Sequence, residues 1–268
     1  MKNLCFHYHM EIKFEKMVSK HRFTLKCIPQ NGDYQEISNL SYDVFPNDFM
    51  NLSNDSFSNN TLIGFIPNEH KKFYVDVTGM ALVGGNKAKT KYNKHEVAFY
   101  KYPTKITSFG ETLKEYFSAF TFSCSMSNLE KSVLMMKKLY TDFEYQKEVT
   151  SLSTTAEEAM SIGKGVCQDY AQILIALCNK ANIPARYVAG LLVGEGYSHA
   201  WVEIFEEDKD GKGVWIALDP TNNLIVDDMH IKISCGRDYS DCLINQGVFY
   251  GGGKQIQKIS VIVYECNK

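Results

Sequence analysis

Long apolar runs are missing from this sequence. The longest, Ala171 to Cys178, falls far short of the ~20 apolar residues that a membrane-spanning helix takes. A charge of one sign is missing too. Lysines and arginines number 29 against 31 aspartates and glutamates, a net charge of −2, which gives no electrostatic reason to expect nucleic acid or an anionic membrane as partner. Eight cysteines are present but none in a CxxC pair, the spacing that zinc sites favour. The start, Met1-Lys2-Asn3-Leu4-Cys5, leads straight into a strand pattern without an apolar leader region or small-residue cleavage site. These absences together predict a cytoplasmic protein with reduced cysteines, seven structural and one reactive. No metal and no cofactor are expected.

What is there reads as an ordinary folded chain. Its 268 residues are 44% hydrophobic and 22% charged, enough for one large domain or two smaller ones. Phe6, Tyr8, Met10, Ile12 and Phe14 alternate with His7, His9, Glu11 and Lys13, the pattern of a half-buried strand. Phe23, Leu25 and Cys27 repeat it. Residues 39–44, 62–66 and 73–80 read as further strands, with an Asn/Ser-rich loop from Asn47 to Asn60. Residues 1–85 therefore predict a small antiparallel β-sandwich. His7 and His9 point the same way from one strand, but the sequence offers no third ligand nearby, so they read as a solvent-facing pair. Gly84 to Lys94 reads as a linker.

From Ser108 the period becomes helical. Phe109, Leu113, Tyr116, Phe117 and Phe120 form one stripe; Leu129, Val133, Met136, Leu139 and Phe143 form another after Ser127, an N-cap with Glu130 three residues on. Thr154 or Thr155 caps a short helix to Ile162.

The most informative stretch is residues 163–190. Gly163 and Gly165 predict a tight turn that delivers Cys167 to the first turn of a helix. That helix runs to about Ala181 and is apolar on almost every side, which places it inside the protein. A thiol at a helix N-terminus faces unpaired amide N–H groups and the positive end of the dipole, where a nucleophilic thiolate is favoured. Residues 186–193, 199–206 and 213–218 then predict three antiparallel strands. The second opens with His199 and the third ends at Asp219, before Pro220. A cysteine, a histidine and an aspartate so placed supply a nucleophile, a general base and an orienting acid. Trp201 shares a strand face with His199 and is a candidate for either groove or core. Asp169, two residues past the cysteine, suits the stabilisation of a helix start.

Gly165-Val166-Cys167, Ser198-His199-Ala200-Trp201-Val202-Glu203 and Leu218-Asp219-Pro220-Thr221-Asn222, in that order, resemble the transglutaminase-like superfamily, and residues 183–190, 236–239 and 247–253 are similar to its bacterial branch. The resemblance implies an α+β fold: a papain-like core, helices packed on an antiparallel sheet, over residues 86–268, preceded by the β-sandwich. It implies Cys167, His199 and Asp219 as catalytic triad and a peptide or protein as substrate. Nothing resembles the calcium sites of the animal cross-linking enzymes, so a cysteine protease-like hydrolase is expected first. A true protein-glutamine transglutaminase, or a scaffold that has lost turnover, are the alternatives. The sequence leaves the oligomeric state open.

Overall fold

The computed structural model describes residues 1–85 and 88–266; Lys87 and its neighbour Asn86, within the expected linker, lie outside them. Five strands come first: β1 (Lys2–Leu25), β2 (Gln35–Phe45), β3 (Phe49–Asn54), β4 (Asn60–Ile66) and β5 (His70–Val83). Three helices follow, α1 (Lys94–Phe99), α2 (Glu111–Ser118) and α3 (Asn128–Asp142). Then come β6 (Glu144–Tyr145), α4 (Ala156–Ile162), β7 (Lys164–Gly165) and α5 (Cys167–Lys180). The rest is mostly strand: β8 (Ala185–Leu192), β9 (Gly194–Gly196), β10 (His199–Glu207), β11 (Gly213–Asp219), β12 (Leu224–Ile225) and β13 (His230–Gly236). A short 3₁₀ turn, Tyr239–Cys242, precedes β14 (Asn245–Gly251) and β15 (Gln255–Glu265).

The first sheet is built around β1. Alternation buries Leu4, Phe6, Tyr8, Met10, Ile12 and Phe14, each contributing about 1.5–3 kcal/mol through apolar burial. The expected strands at 6–14 and 23–27 are halves of this one strand. Its register against β5 breaks between Lys13 and Val18. Upstream it pairs with β5 and β15; downstream it pairs with β4 and β14. The halves pack on a shared core, where the Phe23 and Phe73 rings lie 4.9 Å apart. The expected Asn/Ser-rich loop contains β3, which pairs with β4 along its whole length. Its six residues are all exposed, so no hydrophobic alternation marks it. The sheet expected within residues 1–85 also takes in β9, β14 and β15. Chain order concealed that closure, because a strand's pattern reports its faces and not its neighbours.

The second sheet, ordered β12-β11-β10-β8-β13, carries α5 against one face. Ala171, Ile173, Leu174, Ile175, Leu177 and Cys178 of α5 pack with Tyr187, Ala189, Ala200, Val202 and Ile204 of the sheet in one buried cluster. Helices on an antiparallel sheet give the α+β core that was expected.

One expectation is overturned. Cys5 and Cys266 form a disulfide with Cα atoms 5.4 Å apart, so not all eight cysteines are reduced. The pair sits where β1 and β15 run side by side, Cys5 opposite Tyr264, a proximity that 261 residues of separation hide. Closing so long a loop restricts the unfolded chain strongly. Cys5→Ser should therefore lower unfolding stability by about 2–4 kcal/mol, measured by urea denaturation without reductant. Wild type treated with dithiothreitol should fall to the same midpoint.

Candidate active site

Local chemistry delivers Cys167 to its position. Thr155 and Glu158 form a reciprocal capping box at the start of α4, fixing where that helix begins. Gly163 ends it at φ 78°, in the left-handed region that glycine enters freely. Lys164 and Gly165 then pair with Glu144 and Tyr145 in a short parallel ladder. Gly165 has a steric reason to be glycine, since a Cβ there would meet Asp169 Oδ2 at 2.4 Å. Asp169 accepts from the Val166 N–H at 2.7 Å and the Thr150 hydroxyl at 2.8 Å. It holds the start of α5, as expected. Burial pushes its carboxyl up, against the hydrogen bond from Val166. The first N–H groups of α5, at Cys167 and Gln168, have no carbonyl one turn back within the helix.

His199 opens β10 opposite Gly190 of β8, and Asp219 closes β11 opposite Leu224 of β12. The two side chains meet across the end of the sheet, with Nε2 of His199 2.8 Å from Oδ2 of Asp219. Cys167 lines the same cleft as His199 and acts on the same imidazole. With Nε2 given to Asp219, Nδ1 is the nitrogen left for the thiol. Of the three residues that the sequence singled out, Cys167 and His199 share a cleft and His199 is bonded to Asp219.

A fourth residue joins them. His230, at the start of β13, donates from Nε2 to Asp219 Oδ2 at 3.0 Å and is 1% exposed. Asn222 Nδ2 reaches the same oxygen at 2.7 Å, while the N–H groups of Thr221 and Asn222 donate to Oδ1 at 3.0 and 3.2 Å. His230 is not among the residues that the sequence singled out. No spacing marks it, because β13 reaches the site by pairing with β8, not with its sequence neighbour β12.

The electrostatics follow from these contacts. Burial alone would raise the Asp219 carboxyl; hydrogen bonds from His199 and His230 outweigh it and hold it well below the usual carboxylate range. Burial would likewise lower His199, but the bonds to Asp219 and Cys167 prevail and raise it to about 10. At neutral pH the ring is therefore imidazolium beside an ionised carboxylate. Trp201 resolves as core. It is fully buried, and its ring meets that of His230 edge-on at 5.1 Å.

The cleft in front of Cys167 has a volume of about 520 Å³. Tyr145, Tyr187, Tyr197 and Tyr239 line it on one side, and Tyr8, Gln257 and Ile259 line it from the first sheet. Ligand atoms of His199, Asp219 and His230 lie within 4.8 Å of one another, so this donor set could also take a divalent cation. An ion there would take up the Asp219 oxygen that three side chains already share, and would draw His199 from the cysteine.

Residues 118–220 match the family described as the Transglutaminase-like superfamily. This segment is similar to a transglutaminase-like core. An uncharacterized protein of Mycobacterium tuberculosis is 34% identical over 127 residues, 43% of this chain and 40% of its own length. One of Mycobacterium leprae is 32% identical over 120 residues, 41% of each chain. This chain thus covers well under half the length of these curated relatives. A crystal structure from Cytophaga hutchinsonii, provisionally named a cysteine protease, superposes with a TM-score of 0.78. It spans 100% of this chain and 91% of that one at 18% identity, which shows a shared fold.

Two measurements check the geometry of this site. His199, raised from 6.5 to about 10, contributes stability that is complete below the unfolded value and lost as pH rises through the folded one. Thermal melts from pH 6 to 10.5 should fall more steeply for wild type than for His199→Gln. Removing His230 leaves buried Asp219 a donor short, so His230→Ala should cost about 1–3 kcal/mol in urea unfolding. His230→Gln, which restores an N–H, should recover part of that loss.

Proposed function

We propose that the protein is a cysteine hydrolase that cleaves peptide or amide bonds through a Cys167 acyl-enzyme. The observation that carries this reading is that Cys167 and His199 line one cleft, with Asp219 buried behind His199 and hydrogen-bonded to it. A protonated imidazole beside the sulfur pairs with thiolate, the nucleophilic form. The thiolate attacks the substrate carbonyl carbon, forming a C–S bond and an oxyanion. The Cys167 and Gln168 N–H groups at the start of α5 are the donors for that oxyanion, each worth about 3 kcal/mol in the transition state. His199 then gives its proton to the leaving amine as the C–N bond breaks. His199, now neutral, takes a proton from water as its oxygen attacks the thioester carbon; the C–S bond breaks, the acid leaves, and the thiolate–imidazolium pair is restored. Asp219 keeps the ring oriented throughout, and His230 and Asn222 keep Asp219 in place.

Aromatic and amide side chains along the cleft suit an extended peptide, and the first sheet supplies one of its walls. An amine in place of water would make the same acyl-enzyme a transglutaminase, and this is the second reading. The Cys5–Cys266 bridge favours an oxidising compartment over the cytoplasmic location expected from sequence, because cytosolic thiols are kept reduced.

At pH 6, iodoacetamide should alkylate Cys167 faster than free cysteine, and His199→Ala should abolish the excess. Reaction at the rate of free cysteine would leave a non-catalytic scaffold as the better reading. A glutamine peptide offered with a fluorescent primary amine separates the enzymes. Ammonia release without amine incorporation is expected for the hydrolase.

A further inference from the structure

The His7–His9 pair, left without a partner by the sequence, has one in the fold. Phe6, Tyr8 and Met10 of β1 point into the core, so His7 and His9 stand on the outer face of the sheet. Asp76 of β5 lies directly opposite His9. Its Oδ1 is 2.8 Å from His7 Nε2 and 2.9 Å from His9 Nδ1, so both imidazoles converge on one carboxylate oxygen.

A second acid stands beside the first. Asp43 of β2 is the direct cross-strand partner of Asp76, and both sit on the outer face, since neighbouring Val44 and Val75 are buried. Like charges directly opposite on a ladder destabilise it. Among the described residues neither carboxylate has a lysine or arginine ion pair. Lys13 and Lys72, on the same face, are both drawn to Glu11. Among the described residues Asp43 receives only the Tyr74 hydroxyl, at 3.0 Å.

We propose that His7, His9 and Asp76, with Asp43 as a fourth ligand, form a surface site for a divalent first-row transition metal ion such as Zn²⁺ or Ni²⁺. Two imidazoles with carboxylates are the donor set these borderline ions prefer over calcium or magnesium. The ion replaces the bridging protons of the two His–Asp hydrogen bonds and offsets the repulsion between the two acids. Tetrahedral bonding at 2.0–2.2 Å places nitrogen and oxygen ligands about 3.3 Å apart, roughly half an ångström beyond the present contacts. The two imidazole nitrogens on Asp76 lie farther apart than the 4.8 Å that spans the His199, Asp219 and His230 ligand atoms, so they must close by about 1.5 Å to share one tetrahedral ion. Rotation of these half-exposed side chains supplies both movements. All four ligands stand on three adjacent strands of one sheet, so the backbone frame exists before the ion arrives.

The test titrates tag-free protein with Ni²⁺ and with Zn²⁺ by calorimetry, in a His199→Ala background that disables the other cluster. One saturable equivalent per chain is expected. Loss of an outer-sphere partner alone typically weakens metal sites by about 10–100-fold. His7→Ala, His9→Ala and Asp76→Asn should each therefore weaken binding by at least about tenfold, and Asp43→Asn by less. Circular dichroism and melting temperature without metal should stay near the parent's, since these side chains carry no core packing. Bound Cu²⁺ should show nitrogen coupling in electron paramagnetic resonance that His7→Ala/His9→Ala removes. Absence of saturable binding, or binding that survives the double histidine variant, would overturn the assignment.

Discussion

Asp219 keeps an ionised carboxylate fully out of water. An isolated buried charge would cost several kcal/mol or simply take up a proton. Here five donors offset that cost: two imidazoles, the Asn222 amide and two backbone N–H groups. The two backbone donors come from the turn that Pro220 starts, so the end of β11 builds half of its own anion cradle. The imidazoles come from β10 and β13, which flank β8 on either side. A single carboxylate thus ties β13 to the neighbouring pair β10 and β11, from which β8 separates it, and the protonation of His199 follows from it.

The opposite wall of the site depends on α5. Its N-terminus is held by Asp169, while its body is the most completely buried helix of the chain, with every residue from Gln168 to Cys178 inside. Helix and sheet cannot shift against one another without opening that packing. The distance between sulfur and imidazole is accordingly set by core packing, not by the flexibility of loops. The first sheet contributes differently. Closed by β14 and β15 from the far end of the chain, it stands as a rigid wall across the cleft. Its outer face carries the histidines and acids of β1, β2 and β5.

Much of this was legible in the sequence wherever local chemistry is decisive. A cap at Thr154 or Thr155, the glycine turn at Gly163 and Gly165, the start of α5 at Cys167 and the strands opening at His199 and ending at Asp219 all follow from residue types over a few positions. Exposed β3 was not legible, because nothing on it alternates. Trp201 stayed ambiguous between groove and core, since a strand pattern tells which face a side chain takes and not what covers that face.

The amino-acid order by itself determined the helix that presents the cysteine and the two strand ends that present its histidine and aspartate, because caps, turns and periodicity act over one or two turns of chain. Only the tertiary structure decided the partners. His230 reached Asp219, Asp76 came between His7 and His9, and Cys5 met Cys266 through strand pairings across 11, 67 to 69 and 261 residues. Which edges pair is settled by the burial of whole sheet faces, a property of the assembled chain that no short stretch contains.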